Sequence, residues 1–170
     1  MAPLVRRRLS PPRPARHCAR CVGGHRPMPR VLVQRSAFAG SAFTVERHRT
    51  MMRSPAGRQA GRQAGRQAGG RAVETLVRTP AGEPAAAATG WFAGEGRCGL
   101  LEPVGTHPDH RGHGYGRDAV LGACAALAHR GASAVAVVTP SPNEGAVAPY
   151  RSAGFTVVRE NHDWVRPRRA

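Results

Sequence analysis

Apolar and polar positions alternate along the chain in a way that predicts short strands and helices from about residue 30 onward. Glycine and proline turns separate three apolar extended runs, as in an antiparallel meander. The order strand, helix, strand that follows predicts a parallel crossover on an otherwise antiparallel sheet. The predicted elements are strands at 73–78, 85–92 and 98–106, a helix at 118–129, a strand at 133–139, a helix from Asn143 and a strand at 155–159.

The first part of the chain is less regular. The apolar residues of 30–38 predict a short helix, and Thr44 is placed to cap a second one. Residues 1–29 are rich in Arg and Pro without periodicity, so we expect a disordered head and no first strand within it. Three copies of Gly-Arg-Gln-Ala within 57–70 predict a flexible insertion. The folded domain is therefore expected to span 30–166.

The most informative segment is Arg111-Gly112-His113-Gly114-Tyr115-Gly116, which lies between a predicted strand and a predicted helix. Alternating glycines let the backbone approach an anion closely, and the free amides at a helix start carry partial positive charge. The chain has no lysine, which excludes a P-loop. The strand at 133–139 has no acidic residue, which argues against a dinucleotide fingerprint. The segment is interpreted as a pyrophosphate cradle of another kind.

This loop resembles the acyl-CoA loop Arg/Gln-x-x-Gly-x-Gly/Ala of the GNAT (Gcn5-related N-acetyltransferase) superfamily, which Arg111, Gly114 and Gly116 match. Residues 104–110 resemble the fourth strand of that family and the turn after it. The resemblance extends over roughly 30–165. A second family segment, N-x-x-A-x-x-x-Y-x-x-x-G-F, is matched by Asn143, Ala146, Tyr150, Gly154 and Phe155.

The resemblance implies an α/β fold with a GNAT-type mixed, mostly antiparallel sheet and a parallel β-α-β crossover at the acyl-CoA site. It implies acetyl-CoA as acyl donor and an amine as acceptor, with the pantetheine arm of acetyl-CoA lying along the backbone of Val104 and Thr106. In this family the connection at 38–43 often borders the acceptor site. The residues implied in binding acetyl-CoA are Val104, Gly105, Thr106, Arg111, Gly112, His113, Gly114, Tyr115, Gly116 and Asn143.

Two residues are candidates for catalysis. Tyr150 matches the position from which the family's tyrosine often acts as general acid; the alternative is a tyrosine that only packs in the core. Pro149 departs from the family pattern and is expected to kink the helix just before Tyr150. Glu102 shares a strand face with Val104 if alternation holds, so it is the candidate base, directly or through water. The alternative for Glu102 is a solvated or salt-bridged strand residue.

The formal net charge of +16 comes from arginine alone, and isoleucine is absent as well as lysine, which is typical of a GC-rich coding sequence. The net charge favours polyanions, but the arginines concentrate at 6–71 and 166–169, outside the glycine loop. The aromatic residues that a stacking nucleic-acid surface needs do not accompany them. We therefore do not expect nucleic acid to be the partner.

The cysteines and the hydropathy of the chain do not change the predicted fold or function. Cys18 and Cys21, with His17 and His25 nearby, make one Cys-x-x-Cys in a Pro/Arg-rich segment, and an unstructured segment is favoured there over a zinc site, so no metal is expected. No apolar run reaches the roughly 18 residues of a membrane span, and no apolar stretch of a secretion signal follows the basic start. A cytoplasmic protein is the expectation.

The sequence thus predicts an acyl-CoA-dependent N-acyltransferase that transfers an acetyl group to a primary amine by direct attack. The alternatives are a degenerate GNAT domain that binds CoA without turnover, a basic nucleic-acid-binding protein and a partner-binding module. The identity of the amine and the oligomeric state, including a homodimer, remain open.

Overall fold

The computed structural model describes residues 2–9, 27–53, 72–139 and 144–161. Two segments lie outside the described residues: the Cys-x-x-Cys segment, where no metal is expected, and the Gly-Arg-Gln-Ala insertion. Among the described residues, no helix is long and apolar enough to cross a membrane. The elements are β1 (Ala2–Arg8), α1 (Pro27–Ala37), α2 (Val45–Arg53), β2 (Ala72–Arg78), β3 (Pro84–Trp91), β4 (Cys98–Thr106), a 3-10 turn (Pro108–His110), α3 (Tyr115–His129), β5 (Ala134–Val138), α4 (Glu144–Ser152) and β6 (Thr156–Asn161).

The strands form one six-stranded sheet in the order β2-β3-β4-β5-β1-β6. Strands β4 and β5 are parallel and joined through α3, whereas the other neighbouring pairs are antiparallel. The predicted mixed α/β fold with one parallel crossover is therefore confirmed. The capped start of α2 is confirmed as well, because the hydroxyl of Thr44 accepts a hydrogen bond of 3.1 Å from the amide of Arg47.

The first strand is a finding that the sequence did not predict. Strand β1 pairs with β5 from Leu4↔Val138 to Arg8↔Ala134, and with β6 on its other side. The expectation of a disordered segment 1–29 is therefore wrong for Ala2–Arg8, and α1 already begins at Pro27. Strand β1 is paired on both sides, so backbone hydrogen bonds to two neighbouring strands hold it in the sheet. It therefore tolerates three consecutive arginines, although these break the alternation of apolar and polar residues that is typical of an amphipathic strand.

Helices cover both faces of the sheet. Ala88 and Leu101 belong to the larger core with α3 residues such as Leu127, whereas the smaller cluster joins Val33 of α1 to Ala87 and Leu76. Since successive residues of a strand point to opposite faces, α1 and α3 pack on opposite sides of the sheet.

A buried charge network fixes α1 and α2 to the sheet. The Oε1 atom of Glu74 lies 2.8 Å from Nε2 of His48 and 3.6 Å from Nε of Arg30, and Arg30 also donates to the hydroxyl of Thr89. Burial by itself would raise the pKa of Glu74, but the hydrogen bond from His48 and the neighbouring positive charges outweigh it and lower the pKa. The network ties the first turn of α1, and α2, to β2 and β3.

Candidate functional site

A cavity opens where β4 and β5 separate. These strands pair only from Cys98↔Ala134 to Leu100↔Ala136, and β4 then continues to Thr106 without β5 beside it. The gap leads into a cavity of about 700 Å³, within the size range of small-molecule sites. Its walls are formed by the end of α1, the end of β4, the glycine loop with the first turn of α3, and α4. The lining residues include Ala37, Phe38, Val104, Gly105, Thr106, His110, Arg111, Gly112, Gly114, Tyr115, Gly116, Arg117, Gly145, Pro149, Tyr150 and Ser152.

The end of β4 directs unpaired backbone groups into this gap. The amide of His107 donates to the carbonyl oxygen of Ala85 over 2.8 Å, which makes these two residues a hydrogen-bonded antiparallel pair. Hydrogen-bonded and non-hydrogen-bonded pairs alternate in such a ladder, and Val104 pairs with Ala88 and Thr106 with Ala86. The N–H and C=O groups of Val104 and Thr106 therefore point away from β3, toward the side that β5 has left.

The glycine loop presents backbone amides to the cavity. Gly112 and Gly114 have φ angles of 79° and 83°, in the left-handed region that favours glycine. Gly114 is the N-cap of α3 and supplies no side-chain cap, so the first amides of the helix keep their hydrogen-bonding capacity for a ligand. A Cβ at either glycine would meet no protein atom within 4 Å. The space beside both residues is thus open to an anion.

Two other glycines serve close packing. A Cβ on Gly116 would lie 2.7 Å from the hydroxyl oxygen of Thr106, and a Cβ on Gly105 would lie 2.8 Å from the Cβ of Ala37. Such distances are shorter than van der Waals contact allows. The absence of side chains therefore lets α3 begin directly against β4 and lets α1 end directly over it.

Tyr150 lies in the wall formed by α4. Its side chain is 6 % exposed and packs edge-on against Phe155, with ring centroids 5.9 Å apart. Burial raises the pKa of Tyr150 to about 12, so the phenol holds its proton at neutral pH. Helix α4 runs through Pro149 to Ser152, and Tyr150 still lines the cavity.

Two predicted site residues, Glu102 and His113, are not among the described residues that line the cavity. The side chain of Glu102 is exposed. The register of β3 and β4 shifts between Ala88 and Gly90, opposite Glu102 and Pro103, so strict alternation from Glu102 to Val104 does not hold. His113 is exposed, and Asn143 lies outside the described residues.

The loop histidines form contacts of their own at the cavity mouth. The ring of His113 stacks on Tyr115 at 5.9 Å, and its Nδ1 lies 2.8 Å from the carbonyl oxygen of Arg111. His110 lines the cavity and lies 3.6 Å from a carboxylate oxygen of Glu83. Among the described residues, no cluster of three or more His, Cys, Asp or Glu could hold a metal ion.

Sequence reasoning did not single out Ala37, Arg117 or Ser152 as lining residues. Arg117 donates to the carbonyl oxygen of Ser152 over 3.2 Å and so ties the start of α3 to the end of α4. Phe38, the first residue of the connection after α1, also lines the cavity. The contacts of Arg117 depend on the tertiary arrangement of two helices, which no local pattern reveals.

The family model described as the acetyltransferase (GNAT) family matches residues 40–155 of this chain. No curated protein matches the chain in sequence.

Several solved structures share the fold. A GCN5-related N-acetyltransferase from Sphaerobacter thermophilus has a TM-score of 0.65 and 21% identity, over 92% of this chain and 48% of that chain. An aminoglycoside antibiotic 6'-N-acetyltransferase from Acinetobacter haemolyticus has a TM-score of 0.59 and 15% identity, over 87% and 97%. An acetyltransferase from Trypanosoma brucei has a TM-score of 0.57 and 16% identity, over 95% and 99%. The chain spans about half the length of the Sphaerobacter protein, and likeness at these identities is a likeness of fold.

Proposed function

Because this chain belongs to the acetyltransferase (GNAT) family, we propose that it is an acyl-CoA-dependent N-acyltransferase that transfers an acetyl group from acetyl-CoA to a primary amine. One observation carries the proposal. A single cavity brings together the uncapped start of α3, the unpaired edge of β4 at Val104 and Thr106, and the side chain of Tyr150. These are an anion site, a strand-edge site and a proton donor.

The loop and β4 together suit the shape and chemistry of acetyl-CoA. The amides at the start of α3, near Gly114, hold the pyrophosphate, with the guanidinium of Arg111 adding positive charge. The outward N–H and C=O groups of Val104 and Thr106 pair with the amides of the pantetheine arm as a neighbouring strand would. The thioester is then delivered past β4 toward the wall that contains Tyr150.

The chemistry follows from this placement. The neutral amine attacks the thioester carbonyl, a C–N bond forms, and the C–S bond breaks as the tetrahedral intermediate collapses. A strand-edge N–H near Val104 polarises the carbonyl oxygen. Tyr150 donates its proton to the departing CoA thiolate and regains one from solvent. Since the Tyr150 phenol is protonated at neutral pH, the donor is in the required state before the reaction starts.

The amine must also lose a proton. The exposed Glu102 carboxylate does not line the cavity, so it can act as base only through water, and solvent is the simpler acceptor. The amine itself approaches past Phe38 at the end of α1, which lines the cavity next to Gly105 of β4. An aminoglycoside, a small amine and a protein amine are all candidate acceptors, and cytoplasmic location and dimerisation stay predictions.

Calorimetry with acetyl-CoA, followed by a free-thiol release assay across a panel of amines, tests this function. We expect saturable 1:1 binding of acetyl-CoA and amine-dependent thiol release. Binding without thiol release for any amine would instead indicate a CoA-binding domain without turnover. A chain that does not bind acetyl-CoA contradicts both readings.

A further inference from the structure

Pro149 leaves a gap in the hydrogen bonding of α4. An α-helix pairs each carbonyl oxygen with the amide four residues later, and proline has no amide hydrogen. The carbonyl oxygen of Gly145 therefore lacks the intrahelical donor that residue 149 would supply, even though α4 continues through Pro149 to Ser152. A proline in a helix interior is unfavourable, so its position in the cavity wall calls for an explanation.

Both residues face the cavity. Gly145 and Pro149 line the same cavity as Tyr150 and the free edge of β4. The ring of Pro149 approaches the start of α3, since a Cβ on Gly116 would lie 3.6 Å from its Cγ. Gly145 has no side chain to shield its own carbonyl. The oxygen that Pro149 deprives of its usual intrahelical donor thus belongs to the wall along which an extended, amide-bearing ligand would lie.

We propose that the carbonyl oxygen of Gly145 accepts a hydrogen bond from an amide N–H of the pantetheine arm of acetyl-CoA, and that Pro149 is a positioning residue that keeps this oxygen free. The inference rests on the proposed function. On this account the pantetheine arm is bound on two sides, by the backbone of β4 and by the backbone of α4.

The test uses two variants of the full chain, Pro149→Ala and Pro149→Val. Both restore the amide that can bond to Gly145, and valine keeps much of the ring's volume. We expect a higher melting temperature, because the helix gains a hydrogen bond and loses a proline. We also expect acetyl-CoA affinity to fall by about 3- to 10-fold, the usual effect of losing one hydrogen bond. A purely structural role for Pro149 would not move stability and affinity in opposite directions.

A second measurement changes the ligand, and together with the Pro149 variants it forms a thermodynamic cycle. Acetyl-CoA analogues in which either pantetheine amide is replaced by an ester lack that N–H group. One of them should bind the parent chain about 3- to 10-fold more weakly than acetyl-CoA, yet bind the Pro149 variants almost as well as acetyl-CoA does.

Three results would overturn the inference. The first is that the Pro149 variants bind acetyl-CoA as tightly as the parent chain. The second is that both variants have a lower melting temperature than the parent. The third is that each analogue loses the same affinity, relative to acetyl-CoA, for the parent and for the variants. A parent chain that does not bind acetyl-CoA at all refutes the proposed function, and this inference with it. Tight binding by the parent and by both Pro149 variants refutes the inference alone.

Discussion

The two walls of the cavity differ in how they act on a ligand. The wall formed by the glycine loop and α3 offers backbone amides around Gly112 and Gly114, and both glycines are exposed with positive φ. The wall formed by α4 offers one buried side chain, Tyr150. Binding at the first wall depends on the absence of side chains, whereas chemistry at the second depends on the presence of one. Substitutions at Gly114 and at Tyr150 should therefore separate affinity from turnover.

The largest expected effect is on the loop wall. In Gly114→Val the new Cβ enters the open space beside the first amides of α3 and strains a backbone with φ of 83°. We expect acetyl-CoA affinity to fall by about 100-fold or more, since the pyrophosphate loses close approach to several amides. Calorimetry on the purified variant measures this.

A matched control separates strain from lost binding. Gly82 in the β2–β3 turn has φ of 87°, and a Cβ there also meets nothing within 4 Å, yet it does not line the cavity. Gly82→Val should lose a similar amount of stability in thermal unfolding while binding acetyl-CoA as the parent does. Equal affinity for acetyl-CoA in both variants would remove the loop from the binding site.

The next effect belongs to the α4 wall. Tyr150→Phe keeps the ring and its edge contact with Phe155 but removes the proton donor. We expect kcat for thiol release to fall by about 100-fold with acetyl-CoA affinity nearly unchanged. Because burial raises the pKa of Tyr150 to about 12, the parent's kcat should not decline between pH 8 and pH 10 through loss of this proton.

Tyr115→Phe is the control for this variant. Tyr115 also lines the cavity, but it lies in the loop wall, where its ring stacks on His113. Its hydroxyl should be dispensable for turnover, with kcat within about twofold of the parent. Normal turnover in Tyr150→Phe would reduce Tyr150 to a packing role and leave solvent as the acid.

The contrast between the walls also explains what the sequence could reveal. The alternating glycines and their flanking residues predicted a loop that leads into a helix, and α3 begins directly after Gly114. The same holds for β4, predicted at 98–106 and observed at Cys98–Thr106. Here local pattern and tertiary structure agree, because each residue's role follows from its neighbours in the chain.

Strand β1 was not predicted, because its sequence has no such local pattern. Arg6, Arg7 and Arg8 give it no apolar alternation, and its place between β5 and β6 depends on pairing with residues more than 120 positions away. Such pairing is a property of the backbone edges and leaves no local signal. The register of β3 and β4 shifts beside Glu102, next to Pro103, so strict alternation along β4 does not give the position of that carboxylate relative to Val104.

The smallest expected effect concerns that carboxylate. Glu102 belongs to neither wall, its side chain is exposed, and its carbonyl oxygen is occupied by the indole N–H of Trp91 at 2.7 Å. If solvent takes the amine proton, Glu102→Gln should change kcat/KM by less than about threefold, as substitutions away from the reacting groups usually do. A fall of more than about tenfold, together with loss of the acid limb of the pH profile, would show that Glu102 is the base and acts through ordered water. Catalysis would then depend on a carboxylate of β4 in addition to the strand-edge N–H near Val104 and the hydroxyl of Tyr150.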